Sequence, residues 1–330
     1  MAEPQAPDPR PRDSARRDSG GEGPPSPPRE MQIVTEHAPA EHVLVHISDT
    51  HFTGSGLPLY GVVDSDERFA AALQGLVDSG QRVEALIFTG DLADDGEPDA
   101  YRRLREAVEP AAQALGAEVV WAMGNHDSRA AFREGLLGEG PGEEPVDAVY
   151  EVNGLRIVVL DTTVPGSHYG ELSDHQLAWL GRVLEHAAPH GTVIAMHHPP
   201  TPVIQPLSQL VELRGQRAFA DVVRGTDVRS ILAGHLHYSS SATCAGIPVS
   251  VASATCYTQD LVGEVGPDGV RGTRGRDAAQ AYNLVHVFED TIVHTVVPAG
   301  GGASVGEEVG PEEVARRLAA AGITPRAPRG

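Results

Sequence analysis

The stretch VLVHISDTH (43–51) decides the fold of this chain. Its first six residues are mostly apolar and include β-branched side chains, which predicts a buried strand. Asp49 and His51 come directly after that strand, and their i, i+2 spacing places both side chains on one face of an extended backbone. We interpret the stretch as a strand of an α/β sheet whose carboxyl end carries functional side chains.

Apolar runs of this kind recur along the chain and alternate with amphipathic stretches, which is typical of an α/β domain. We predict strands at 43–48, 85–90, 118–124, 155–161, 192–198 and 228–234. Helical spacing predicts helices at 67–80, 99–116 and 173–187, with N-caps at Asp66 and Ser173 and a stop at Gly116.

Three later runs alternate without helical signals, and we expect them to complete a second sheet; they are 248–254, 281–289 and 291–297. The predicted fold class is α/β, a four-layer α-β-β-α sandwich with two central mixed sheets flanked by helices. A Gly- and Arg-rich segment, 257–280, is expected to be a long loop.

Polar side chains follow almost every predicted strand of the first 240 residues. Because the carboxyl ends of parallel strands meet at one edge of a sheet, these side chains are expected to converge. They supply nitrogen and oxygen donors without a thiolate, a set that suits two borderline-to-hard metal ions. The predicted ligands are Asp49, His51, Asp91, Asn125, His197, His235 and His237.

The 330 residues, of which 40% are hydrophobic, are enough for one large α/β domain with a substantial core. Residues 1–40 are rich in Pro, Gly and Ser, so we predict a disordered tail there. We assign residues 41–299 to the catalytic domain and residues 300–330 to a C-terminal tail with a short helix at 311–322.

The net charge of −21 argues against a nucleic acid polymer as partner, because such binding depends on Lys and Arg that neutralise phosphates. All 25 basic residues are arginine, which excludes a P-loop lysine and Schiff-base chemistry. No apolar run reaches the roughly 20 residues of a membrane span. The N-terminal segment also lacks the apolar region of a signal peptide, so we expect a cytoplasmic protein.

The segments DTH (49–51), GD (90–91), GNHD (124–127), HHPP (197–200) and GHLH (234–237) together resemble the calcineurin-like metallophosphoesterase superfamily. The resemblance covers roughly residues 43 to 297 and implies the metallophosphoesterase fold. More narrowly, GDLADDG, GNHDSR, LDTTVPGSHYGEL, MHHPP and AGHLH are similar to the class III cyclic-nucleotide phosphodiesterases.

This resemblance implies two metal ions per chain, iron or manganese or both, with zinc as an alternative. One ion would be held by Asp49, His51, Asp91 and His237, and the other by Asp91, Asn125, His197 and His235, so that Asp91 bridges them. It also implies a small-molecule phosphodiester as the substrate, and a homodimer is common among such enzymes.

Two further residues of GNHD receive catalytic roles from the resemblance. His126 would face the phosphate and protonate the leaving group, and Asp127 would accept a hydrogen bond from its other ring nitrogen. The remaining candidates for substrate contact are His198, Arg129 and His168.

The function predicted from these features is hydrolysis of a 3′,5′-cyclic nucleotide, cAMP first, to the 5′-nucleotide. Two metal ions would lower the pKa of a bridging hydroxide and clamp the phosphate oxygens. One alternative is a broader phosphodiesterase that acts on glycerophosphodiesters or 2′,3′-cyclic nucleotides. Another is a non-catalytic scaffold that keeps the same fold.

Overall fold

The computed structural model describes residues 35–323. Its strands are β1 His42–Ile47, β2 Ala85–Thr89, β3 Glu118–Ala122, β4 Ala148–Val152, β5 Leu155–Leu160, β6 Thr192–Met196, β7 Val228–Ala233, β8 Ser240–Cys244, β9 Ile247–Val251, β10 Thr258–Gln259, β11 Gly275–Arg276, β12 Ala281–Val287 and β13 Ile292–Pro298. Its α-helices are α1 Ser65–Asp78, α2 Pro98–Leu115, α3 Arg129–Phe132, α4 Asp174–Val183, α5 Gln216–Val223 and α6 Pro311–Ala320.

Two mixed sheets form the centre of the fold. One has the strand order β13-β12-β1-β2-β3, and the other has the order β4-β5-β6-β7-β9-β8. The pairs β1–β2, β2–β3, β5–β6, β6–β7 and β7–β9 are parallel, so their carboxyl ends share an edge in each sheet. A two-stranded ribbon, β10–β11, lies within the predicted loop 257–280.

The central parallel strands are buried on both faces, which explains their nearly continuous apolar sequence; they are β1, β2, β5, β6 and β7. In β1, Leu44 points into a core shared by the two sheets, whereas Val45 points into a second core with α1 and α2. A third core packs α4 and α5 against the other sheet, where Phe219 contributes from α5. The layers are therefore α-β-β-α, and the predicted fold class is confirmed.

Several local predictions need correction. The N-cap of α1 is Asp64, whose side chain accepts from the backbone N–H of Glu67, so the prediction of Asp66 is wrong. Ser173 does cap α4, in a reciprocal arrangement with Gln176, and Gly116 ends α2 in a left-handed conformation. Helix α5 has only eight residues and was not predicted, because such a short segment carries too few periodic positions.

The final two strands also differ from the prediction. β12 and β13 do not extend the second sheet; β12 pairs antiparallel with β1 and joins the first sheet instead. The paired residues His46 and Asn283 are far apart in sequence, and hydrophobic alternation specifies which face is buried but not which distant strand is the neighbour.

Residues 36–309 of the described chain belong to one compact unit, and the helix α6 lies outside it. The helix predicted at 311–322 is confirmed by α6, whereas most of the predicted disordered tail lies outside the described residues. Within residues 35–323, no helix has the length and apolar character needed to cross a membrane.

Candidate dinuclear metal site

The seven predicted metal ligands lie at one edge of the sandwich. Asp49 and His51 follow β1, Asp91 follows β2 and Asn125 follows β3, all in the first sheet. The second sheet contributes the others from the ends of β6 and β7, which are His197, His235 and His237. The structure brings all of them together in two groups that share one carboxylate.

The first group consists of Asp49, His51, Asp91 and His237, and all four are buried. One ligand atom from each lies within 4.8 Å of the others. Nε2 of His51 is 3.1 Å from Nε2 of His237 and 3.6 Å from Oδ2 of Asp91.

The second group is centred on His197. Its Nε2 lies 3.2 Å from Oδ2 of Asp91, 3.2 Å from Oδ1 of Asn125 and 3.2 Å from Nδ1 of His235. Oδ2 of Asp91 therefore faces both groups. Oδ1 of Asp91 accepts the backbone N–H of His126 at 2.8 Å, so a single oxygen is available for bridging.

The tautomers of the histidines in the first group fit a bound cation. Nδ1 of His51 donates to Oδ1 of Asp94 at 2.9 Å, and Nδ1 of His237 donates to the carbonyl of Tyr257 at 3.0 Å. These oxygens can only accept, so each Nδ1 carries a proton and each Nε2 is the nitrogen that can offer a lone pair to a cation. The two Nε2 atoms are 3.1 Å apart, close enough to share one proton or to bind one cation.

The second group has the same arrangement. Nδ1 of His197 donates to the carbonyl of Thr89 at 2.7 Å, and Nε2 of His235 donates to the carbonyl of Val211 at 2.9 Å. The inward-facing nitrogens of these two rings, Nε2 of His197 and Nδ1 of His235, are again the ones that can bind a cation. Hydrogen bonds that fix the outer ring nitrogen are the usual support of metal-ligating histidines, and the residues present fit a metal in both groups.

The backbone is strained at most of these ligands. Asp49, His51, Asp91, His235 and His237 have φ values of 53°, 45°, 49°, 72° and 55°, in the left-handed region that non-glycine residues seldom adopt. Such conformations cost free energy and persist at functional sites where the surrounding structure enforces them.

Two glycines allow the turns at the strand ends to approach each other. A Cβ on Gly124 would overlap the backbone nitrogen and Oδ1 of Asp91, and a Cβ on Gly234 would overlap Oγ of Ser48. Glycine at these two positions therefore permits a close backbone approach that any side chain would prevent.

The buried carboxylates of the site are ionised. Burial favours the neutral form of Asp49, but the charge and hydrogen bond of His237 outweigh it and lower its pKa to about 2. Burial acts in the same way on Asp91, and His197 outweighs it, so that the pKa of Asp91 is well below its usual value. Two negative charges in a buried position favour the binding of cations.

Comparison with known proteins agrees with this geometry. A family model described as calcineurin-like phosphoesterase matches residues 42–239, which contain every ligand of both groups. The chain belongs to the calcineurin-like phosphoesterase family. This family uses a dinuclear metal site, and the Asp and His groups described above could bind metal ions.

Two relatives within the calcineurin-like phosphoesterases are similar over most of their length. The chain is 59% identical over 288 residues to a probable cyclic nucleotide phosphodiesterase of Rhodococcus erythropolis, covering 87% of this chain and 94% of the relative. It is 57% identical over 290 residues to a cAMP/cGMP dual specificity phosphodiesterase of Mycobacterium tuberculosis, covering 88% and 90%.

A solved structure shows the same fold. The crystal structure of a dimetal phosphatase from Danio rerio aligns with a TM-score of 0.55 and 17% identity, over 80% of this chain and 98% of that one. At this identity the likeness concerns the arrangement of sheets and helices alone.

The predicted partner of His126 is different in the structure. Nδ1 of His126 donates to the backbone carbonyl of Asp94 at 2.6 Å, and the prediction that Asp127 accepts this proton is wrong. Asp127 instead accepts from the backbone N–H groups of Leu92, Ala93 and Gly124 and from the hydroxyl of Tyr101. Asp127 thus holds together the two turns that carry the ligands.

Asp94 is a functional candidate that the sequence reasoning missed. Its side chain fixes the ring of His51, and its carbonyl fixes the ring of His126. The sequence signal for Asp94 was its position three residues after Asp91 in the motif GDLADDG (90–96), in which a pair of acidic residues follows the first acid.

Two predicted substrate contacts are occupied within the protein. Both ring nitrogens of His198 are bonded, to the hydroxyl of Thr162 at 2.8 Å and to the carbonyl of His168 at 3.1 Å, and the residue is fully buried. Arg129 pairs with the buried carboxylate of Asp161 at 2.9 Å and donates to two backbone carbonyls. Both ring nitrogens of His198 are therefore committed within the protein, which corrects its prediction. Arg129 is held mainly by structural contacts, and its contact with a phosphate stays a prediction.

His168 remains a candidate for substrate contact. Its side chain is exposed, and Nδ1 accepts from the amide nitrogen of Asn125 at 3.1 Å. Its ring lies 5.5 Å from the ring of His126, which is partly exposed beside the first metal group. These two histidines thus lie next to each other beside the candidate metal ligands.

Proposed function

We propose that this protein hydrolyses 3′,5′-cyclic nucleotides, cAMP first, to 5′-nucleotides at a site that holds two metal ions. The observation that carries the proposal is the position of Asp91. Its Oδ2 lies close to candidate ligands of both groups, so that one carboxylate can contribute to both. The names of the two relatives with 57–59% identity support a cyclic nucleotide as the substrate.

The proposed metals would be held by Asp49, His51, Asp91 and His237 in one group and by Asp91, Asn125, His197 and His235 in the other. When bound, two such ions supply an activated water and stabilise negative charge on the phosphate oxygens. The N and O donors favour iron or manganese, with zinc as an alternative. A cytoplasmic location and a homodimer stay predictions.

We assign the protonation of the leaving 3′ oxygen to His126. Because Nδ1 is held by the carbonyl of Asp94, the proton to be transferred must sit on Nε2 of this partly exposed ring. Burial lowers the pKa of His126, but the charge of Asp91 and the bond to Asp94 outweigh it and raise the pKa above its usual value. Bound cations would oppose this rise.

The proposal is tested by measuring 5′-AMP formed from cAMP with manganese present and after chelation. We expect metal-dependent turnover that Asp91→Ala abolishes and His126→Ala lowers by about 10²–10⁴-fold. Asp95→Ala is the matched control, because Asp95 is exposed and lies in the same motif. His175→Ala, at an exposed histidine on α4, is the second control.

A substrate panel separates the alternatives. Turnover of glycerophosphodiesters or 2′,3′-cyclic AMP at rates above those for cAMP and cGMP would favour the broader phosphodiesterase. Protein purified without bound transition metal and without turnover of any diester would favour the scaffold.

A further inference from the structure

An exposed tyrosine stands beside the proposed metal site on a well-defined turn. Tyr60 is 70% exposed, which is unusual for a large aromatic side chain. Its neighbours Leu59 and Val63 are buried, pair with each other through backbone hydrogen bonds, and pack against Ala254 and Cys256. The turn is therefore anchored on both sides of Tyr60, while the ring itself is left in solvent.

The backbone of Tyr60 is strained. Its φ is 51°, in the left-handed region, and the next residue, Gly61, has a φ of 70°. A bulky residue rarely adopts this conformation, and strain of this kind is concentrated at functional positions. The anchored turn thus holds an aromatic ring in a fixed, exposed position at a free-energy cost.

Tyr257 connects this ring to the first metal group. The rings of Tyr60 and Tyr257 pack edge to face, with centroids 5.6 Å apart and an interplanar angle of 70°. The ring of Tyr257 lies 4.5 Å from that of His237 and 6.4 Å from that of His51. On another side, a Cβ at Gly275 would come within 3.0 Å of the Tyr257 ring, so Tyr257 is closely enclosed.

We infer that Tyr60 is the residue on which the base of the nucleotide stacks, with Tyr257 as the residue that positions it. The inference rests on the proposed function, since it assumes a nucleotide whose phosphate lies at the metal site. In a nucleotide, one ribose separates the base from the phosphate. In the protein, one aromatic ring, that of Tyr257, separates Tyr60 from the candidate metal ligand His237. An exposed aromatic face binds any base, because every base has a π face.

The kinetic test uses Tyr60→Ala, Tyr60→Phe and, as a matched control, Leu57→Ala, which removes an exposed apolar side chain two residues before the turn. The substrates are cAMP, cGMP and methyl riboside 3′,5′-cyclic phosphate, which lacks a base. We expect Tyr60→Ala to raise KM for cAMP and cGMP about tenfold, the low end of a base-stacking contribution, with kcat within twofold. Tyr60→Phe and Leu57→Ala should resemble the wild type, and the abasic substrate should not distinguish the variants.

A second readout does not depend on turnover. The fluorescence of 1,N6-etheno-AMP is quenched when its base stacks, and we expect Tyr60→Ala to lose the quenching and weaken binding about tenfold, while Tyr60→Phe keeps both. If the wild type does not cleave cAMP, the proposed function fails, and this titration still decides the role of Tyr60. The inference would be overturned if Tyr60→Ala showed the same quenching and affinity as the wild type. It would also be overturned if Tyr60→Ala raised KM for the abasic substrate as much as for cAMP.

Discussion

Nδ1 of His51 donates a hydrogen bond of 2.9 Å to Oδ1 of Asp94, and this bond fixes which ring nitrogen of His51 faces the metal group. Asp94→Ala removes the acceptor and frees the ring to rotate or change tautomer. We expect metal affinity to fall about 10–100-fold, as is usual for such supporting carboxylates, and Asp94→Asn to lose less because it keeps an acceptor oxygen. Metal titration by calorimetry measures the effect. Asp95→Ala is the control, and an unchanged affinity in Asp94→Ala would contradict the role.

Asp127 is expected to act on stability more than on the chemical step. In Asp127→Ala, the buried N–H groups of Leu92, Ala93 and Gly124 lose their acceptor. We expect the free energy of unfolding to fall by about 3–5 kcal/mol, since each unsatisfied buried donor costs about 1–3 kcal/mol. Urea unfolding measures this. Tyr101→Phe removes only one of the bonds to Asp127 and should cost about 1 kcal/mol.

Arg129 provides a test between a structural and a phosphate-binding role. Its side chain is 10% exposed and pairs with Asp161, which is fully buried. Arg129→Ala removes the only cation paired with that carboxylate in the described residues and leaves it with neutral donors from Val146 and Thr163. Because a buried charge then loses its counter-charge, we expect the free energy of unfolding to fall by about 3 kcal/mol.

Below the unfolding temperature of Arg129→Ala, KM for cAMP should stay within twofold of the wild type. Arg102→Ala, at an exposed ion pair on α2, is the control and should change neither property. A large rise in KM in Arg129→Ala without loss of stability would instead support a direct contact between Arg129 and the phosphate.

His294 makes the stability of the fold depend on pH. Burial lowers its pKa from 6.5 to about 4, and Nε2 accepts from the hydroxyl of Ser230 at 3.0 Å. Between pH 6.5 and pH 4, His294 therefore binds a proton in the unfolded chain but not in the folded chain. The contribution of His294 to the free energy of unfolding is complete above pH 6.5 and is lost as the pH falls towards 4.

Between pH 7 and pH 5, we expect the free energy of unfolding to fall by about 2 kcal/mol more in the wild type than in His294→Gln. Urea unfolding of both proteins at the two pH values checks this difference. Equal losses in the two proteins would show that His294 is not the titrating group.

The fold class was accessible from the sequence because it depends on local patterns. A strand such as β1 that is buried on both faces has a nearly continuous apolar sequence, and helices such as α2 show their own period and their glycine stop. The assignment of β12 to the first sheet was not accessible, since pairing between His46 and Asn283 is a long-range choice of partner.

The positions of the candidate ligands were fixed by the sequence alone, because a residue that follows a parallel strand must lie at the sheet edge. The extended backbone expected at 49–51 and 235–237 is wrong, since these ligands adopt left-handed φ values. Only the tertiary structure decided what each ligand touches. That Asp94 rather than Asp127 holds His126, and that Tyr60 packs against Tyr257, depends on how separate loops close over the site. Loop conformation and side-chain partners arise from contacts between residues distant in sequence, which no local pattern encodes.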